Sequence, residues 1–183
     1  MKIINSASLD WIDALSINVE STFTKFFPSF TIVGLISTSI QESKDRVKSA
    51  LLMNDYKFPP LKITVNLSPS DIKKKGTHFD LAIALQIALY DIKKDVFSGF
   101  FVFGELGLDG SIKDTSTIFP LVLSLAKNSE KMKILVCEDS AQKISNIPNV
   151  EIYIVKNISE AIEFFSKEDN ESKDKYRYHS KEL

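Results

Sequence analysis

LKITVNLSPSDIKKKGTHFDLAIAL, residues 61–85, holds in order a strand, a basic loop and the start of a helix. Leu61, Ile63, Val65 and Leu67 alternate with polar residues, the period of a strand with one buried face. Pro59 and Pro60 ahead of it stop any helix. After the loop, FDLAIALQIALY (79–90) is apolar on nearly every side, which predicts a helix buried between other elements. Between them lie Lys73, Lys74 and Lys75, then Gly76, His78 and Asp80 at the mouth of that helix. A loop of this shape can cradle a phosphate or present a nucleophile, so its chemical equipment has to be weighed.

Outward from this stretch the chain mixes strands and helices. LSINVEST, with Leu15, Ile17 and Val19 on one side, and SFTIVGL after Pro28 are expected to form an antiparallel pair. Ser39 and Glu42 have the spacing of a capping box, opening a helix with Ile40, Val47, Ala50 and Leu51 on one face. Lys44, Asp45 and Lys48 fall on another. GFFVFGELGLDGSIK reads as two short strands joined across the turn at Gly107 to Gly110. TSTIFPLVLSLAK reads as a second buried helix, with Pro120 tolerated in its first turn. The last third is β-α-β-α, with Asn157 and Glu160 as a further capping box. From Lys167 the chain carries five positive and five negative side chains and almost nothing aliphatic, so 1–166 is expected as one domain and 167–183 as a linker.

Lys and Arg total 23 against 24 Asp and Glu, a net charge of −1, so no overall field draws nucleic acid or an anionic membrane. Any such contact needs a local patch. The candidates are Lys73, Lys74 and Lys75, and Lys44, Arg46 and Lys48, although Glu42 and Arg46 also stand at the spacing of a helix-stabilising pair. The single Cys137 lies in an apolar run and is expected as a buried small hydrophobe. No secretory or membrane-spanning pattern is present, so a cytoplasmic location without membrane contact is expected, and the Asn-x-Ser triplets are chance matches. Neither nucleotide fingerprint occurs; Gly104, Gly107 and Gly110 are expected as turn glycines, with Glu105 and Asp109 beside them. His78 and His179 are a hundred residues apart, so no ordinary metal site is expected. Asp80 is expected to anchor its helix by accepting free N–H groups rather than to act as an acid.

Taken in order, PSFTIVGLISTSIQESKDRVKSAL, then YKFPPLKITVNLSPSDIKKKGTHFDLAIAL, then FVFGELGLDGSIK resemble the N-terminal domain of the magnesium chelatase-like AAA+ proteins of the ComM/YifB type, over roughly residues 1–166. The resemblance rests on the DRVKSA segment, the strand ending around Asn66, the loop from Gly76 to Asp80, and the turn segment with Gly104, Glu105 and Gly110. Two places depart from it: Phe27-Pro28-Ser29-Phe30 where the family has Gly-Leu-Pro, and Leu35-Ile36 where it has Leu-Pro.

The resemblance implies an α+β fold of the Lon-protease or ribosomal-protein-S5 type. It also implies a polypeptide that continues into an AAA+ ATPase, the place where ATP and Mg would bind, with no cofactor in this part. The full-length relatives would be homo-oligomeric rings, hexamers, driving DNA branch migration in natural transformation. Lon peptidases of this fold use a Ser–Lys dyad. Alignment of that loop puts His78 at the serine, and counting from Gly110 puts Phe119 at the lysine, so no peptidase activity is expected. Two roles follow: assembly of the ring with sequence-independent DNA contact through the six basic residues, or a pure protein–protein interaction module regulating its own ATPase module, without DNA contact. No porphyrin-handling site is expected.

Overall fold

The computed structural model describes residues 1–179. Its centre is the strand read from the alternation, β4 (Lys62–Ser68), in which Ile63, Val65 and Leu67 are fully buried. It lies in a seven-stranded mixed sheet with β1 (Ile3–Asp10), β2 (Asp13–Thr24), β3 (Ser29–Val33), β5 (Phe100–Val102), β8 (Met132–Val136) and β9 (Val150–Ile154). The order is β3-β4-β2-β1-β5-β8-β9. β2 runs antiparallel to both its neighbours, and the other neighbouring strands are parallel. The glycine turn joins a separate hairpin, β6 (Glu105–Leu106) and β7 (Ile112–Lys113), as expected.

The N-terminal pairing differs from the expectation. β2 pairs with β1 through a register from Ile3↔Glu20 to Asp10↔Asp13, while β3 lies on the far side of β4 and parallel to it. Asn5, Ser6 and Ser8 hide β1 by interrupting its apolar alternation, yet Ser6 and Ser8 are buried. Only Trp11 and Ile12 separate β1 from β2, so the tight turn hands β2 the preceding strand as partner.

Helices cover both faces of the sheet. α2 (Ser43–Met53), α3 (Asp80–Ala88) and α6 (Ile158–Ser166) share one core with Ile4, Val19, Val65 and Leu135. α4 (Ile118–Ala126) and α5 (Glu138–Ile144) share another with Ala7, Ile134 and Val136. Neighbouring residues of β8 enter different cores, as a strand buried on both faces requires. α3 is the helix with no wet face, buried from Asp80 to Ile87.

The Ser39–Glu42 capping box does not form. The short α1 (Thr38–Gln41) begins after Ser37, and Glu42 joins it to α2 in helical conformation. The Ser39 hydroxyl is taken instead by Ser37 Oγ at 2.7 Å and by the Gly76 N–H at 3.1 Å. Asn157 does cap α6, accepting from the Glu160 N–H at 2.9 Å, and Glu160 reaches back to the Lys156 N–H. The charged segment read as a linker turns back onto the domain within the described residues. It forms α7 (Asn170–Asp174), and residues 176–178 pair with the free edge of β9 through Ile154 N–H to Tyr176 O and Tyr178 N–H to Ile152 O. Tyr176 closes against Phe164 edge-on, so a few aromatics do what aliphatic residues would otherwise do.

Candidate functional site: the groove beside the buried helix

After β4 the loop returns alongside residues 34–37. Lys74 N–H donates to Leu35 O and Lys74 O accepts from Ser37 N–H, so this part of the chain is extended. Successive side chains of an extended chain point to opposite sides. Lys73 and Lys75 are therefore exposed, and Lys74 is fully buried with its Nζ donating to Gly34 O at 2.6 Å and to Pro69 O. Burial pushes the Lys74 ammonium below its usual pKa, with Asp71 opposing. Lys74 thus drops out as a phosphate contact and becomes a pin between two loops. Gly34 itself lies close against the backbone of β4: at φ +115 a Cβ there would lie 2.2 Å from Leu67 O.

Arg46 is also withdrawn from solvent. Its Nε lies 2.6 Å from Asp80 Oδ2, its Nη2 lies 3.1 Å from Oδ1, and Nη2 also donates to Ser39 O at 3.0 Å. Asp80 completes its shell with Ser43 Oγ at 2.5 Å and the Leu106 N–H at 3.1 Å. The expected anchoring through free N–H groups of its own helix is replaced by these contacts, which tie α2, α3 and the small hairpin together. Burial raises the Asp80 pKa, and the bonds from Arg46, Ser43 and Leu106 oppose it. Of the basic candidates, Lys44 is half-buried and Lys48, Lys73 and Lys75 are exposed.

His78, at the position of a nucleophile in the Lon-type loop, has both ring nitrogens engaged. Nε2 lies 2.7 Å from Ala7 O, which can only accept, so Nε2 carries the hydrogen. Nδ1 then accepts from Thr117 Oγ1 at 3.2 Å. The ring is 1% exposed and packs on Phe79, and burial lowers its pKa to about 4, with the Ala7 bond opposing. Phe119 does not replace a lysine beside it: Thr117, at the start of α4, meets the ring, and Phe119 is partly exposed. The remaining motif residues make bonds within the fold. Asn66 donates to Glu20 at 2.8 Å, Thr77 to Glu105, the Gly104 N–H to His78 O at 2.9 Å, and the Ile158 N–H to Gly110 O at 2.9 Å.

These elements border a groove of about 810 Å³ lined by Trp11, Lys73, Lys75, His78, Thr117 and Ser8. Trp11 is 94% exposed at the tip of the β1–β2 hairpin, with φ +58. The sequence reading missed it. Its available signal was a two-residue gap between two strands, masked by the serines of β1. Among the described residues no three His, Cys, Asp or Glu side chains gather as metal ligands, and no helix is long and apolar enough to cross a membrane.

The family model for subunit ChlI of Mg-chelatase matches residues 19–140, from within β2 through the basic loop to the start of α5; the groove residues of the β1–β2 hairpin, Ser8 to Trp11, precede the match. The chain belongs to this magnesium chelatase-like family. The competence protein ComM of Haemophilus influenzae is 29% identical over 168 residues, covering 91% of this chain and 33% of that protein. An uncharacterized protein, YifB of Escherichia coli, is 33% identical over 151 residues, covering 80% of this chain and 29% of its own length. The chain therefore spans about a third of the length of these curated ComM/YifB relatives. Within this ComM/YifB-type chain the matched segment holds Arg46, Asp80, Lys74 and His78, the residues that lock the loop in place.

Proposed function

We propose that the chain is a noncatalytic N-terminal domain of a ComM/YifB-type AAA+ ATPase, acting in the assembly and positioning of a homo-oligomeric ring, a hexamer, around its own ATPase module. ATP and Mg belong to that module in this reading, and the ring works on DNA in the cytoplasm, as a branch-migration motor of natural transformation. The observation that carries the noncatalytic role is His78: buried, held neutral, with both nitrogens bonded, it offers neither a free lone pair nor a mobile proton. The support for assembly is the exposed apolar surface at the hairpin tip, Trp11 and Ile12, together with Phe119 and Leu123 one turn apart on α4. Comparison of the full-length protein with one lacking residues 1–166 tests this. Loss of rings, with loss of the ATPase rate that depends on them, is the expected result; unchanged rings refute it. Casein hydrolysis by the domain that disappears in His78→Ala refutes the noncatalytic role.

A second reading, direct contact with DNA, is favoured by one observation: Trp11 can stack on a base while Lys73 and Lys75, on the same groove, hold phosphates. Binding of this kind is nearly independent of sequence and falls steeply with salt. A Lys73→Glu, Lys75→Glu variant that binds an oligonucleotide as well as the unaltered domain at low salt removes it.

A further inference from the structure

Five charges at and around the groove make no ion pair among the described residues: Asp10, Asp13, Asp71, Lys73 and Lys75. Trp11 stands between them with Ile12, which is 82% exposed. The register Asp10↔Asp13 closes the hairpin at its base, so these two apolar side chains form a preformed knob flanked by acids. The groove beside the knob has Leu9 and Ile72 in its walls and the two lysines on its rim. One patch therefore carries an apolar knob with two acids, Asp10 and Asp13, and an apolar hole in which Lys73 and Lys75 outnumber Asp71. A two-fold contact demands that combination, because each partner must present the complement of what it receives.

The geometry points to a second copy of this chain as the occupant of the groove. The Trp11 tip of each copy enters the groove of the other, with Asp10 and Asp13 facing Lys73 and Lys75. Charges of opposite sign set the register, and the buried tryptophan is the anchor. Nucleic acid is the poorer match, since Asp10 and Asp71 share the groove with the lysines and leave it without a field of one sign. A two-fold pair closes on itself and does not propagate into a ring, so the inference goes beyond the assembly role proposed above: the contact links copies two by two, and its test does not depend on that role.

Trp11 is the only tryptophan, so the intrinsic emission of the 183-residue chain reports this one site. Its emission is expected to shift to the blue as concentration rises, while sedimentation equilibrium shows the mass doubling. Trp11→Gly keeps the turn, because glycine adopts φ +58 freely, and is expected to stay monomeric with an unchanged thermal melt. Asp10→Lys and Lys75→Asp are each expected to weaken the dimer by about tenfold or more, and their combination to restore it. A chain monomeric up to about 0.5 mM, a dimer that survives Trp11→Gly, or a double variant no better than the singles overturns the inference. Quenching of Trp11 by a single-stranded oligonucleotide bound to a chain that remains monomeric also overturns it, in favour of nucleic acid. In the full-length protein, rings that persist without residues 1–166 refute the assembly role, whereas the mass measurement on the domain decides the self-contact by itself.

Discussion

Replacing Arg46 by Met takes the cation away from a carboxylate with no exposure to water, while the long side chain keeps most of its packing. Asp80 would retain only neutral donors, Ser43 Oγ and the Leu106 N–H. Stranding a buried charge in this way costs about 3–5 kcal/mol, which in a chain of this size lowers Tm by about 6–20 °C. The cost depends on pH with a definite sign. Burial already raises the Asp80 pKa, and Arg46 is the largest influence opposing it, so the variant's pKa rises further. A raised pKa in the folded chain means that folding is favoured while Asp80 holds its proton. That advantage is complete below the unfolded value of about 3.9 and is lost as pH rises through the folded value. The deficit of Arg46→Met against the unaltered chain is therefore smallest near about pH 4 and grows toward about pH 8, by at most about 1.4 kcal/mol per pH unit. Other groups that titrate in this window are common to both proteins and cancel in the difference. Urea unfolding of both, followed by far-UV circular dichroism at the two ends of this range, measures the deficit. A loss below about 1 kcal/mol, the worth of an exposed ion pair, or a deficit equal at both ends refutes the buried-charge account.

His78 gives the opposite slope. Its pKa is lowered to about 4 in the folded chain, so the stability it contributes is present above about pH 6.5 and is lost as pH falls toward about pH 4, by about 3 kcal/mol. Urea unfolding across that range should show this loss, and His78→Gln, which can still donate to Ala7 O, should flatten it. Lys74→Met leaves the Gly34 and Pro69 carbonyls without their donor and should cost about 1–3 kcal/mol. Lys73→Glu and Lys75→Glu should each stay within about 0.5 kcal/mol, and a thermal melt that ranks the three lysines equally contradicts the alternation of that loop. Gly34→Ala sets a Cβ against Leu67 O at positive φ and should cost about 3 kcal/mol or more; a melt within a few degrees of the unaltered chain shows that the turn relaxes.

The elements legible in the sequence are those whose signal is local. β4 and α3 follow from period and length, and the cap at Asn157 from a three-residue spacing. β1 escapes because its serines face inward, and the sheet order escapes because β2 can satisfy its edges with either neighbour until the turn at Trp11 decides. The candidate site was legible as a place rather than as an arrangement. Three consecutive lysines look alike in sequence, and only the pairing of Lys74 with residues 35–37, far along the chain, turns one inward. From sequence, Arg46 is a cation available to phosphate and Asp80 a helix anchor. Their meeting across 34 residues assigns each a different role.

The basic loop keeps the outline of a catalytic loop, but its polar groups are spent on holding it in place. Lys74 clamps two carbonyls, Gly76 is held by Ser39, Thr77 by Glu105, and His78 by Ala7 and Thr117. Chemistry on a substrate needs a group that can change its bonding during reaction, and in this loop such a change would break a contact that supports the fold. The groups left free are those on the rim: the exposed Trp11, the two outward lysines and the aspartates around them. Rigid support beneath and unpaired charge and apolar surface above are what recognition requires. That arrangement supports the proposal that the loop resembling an active site grips a partner.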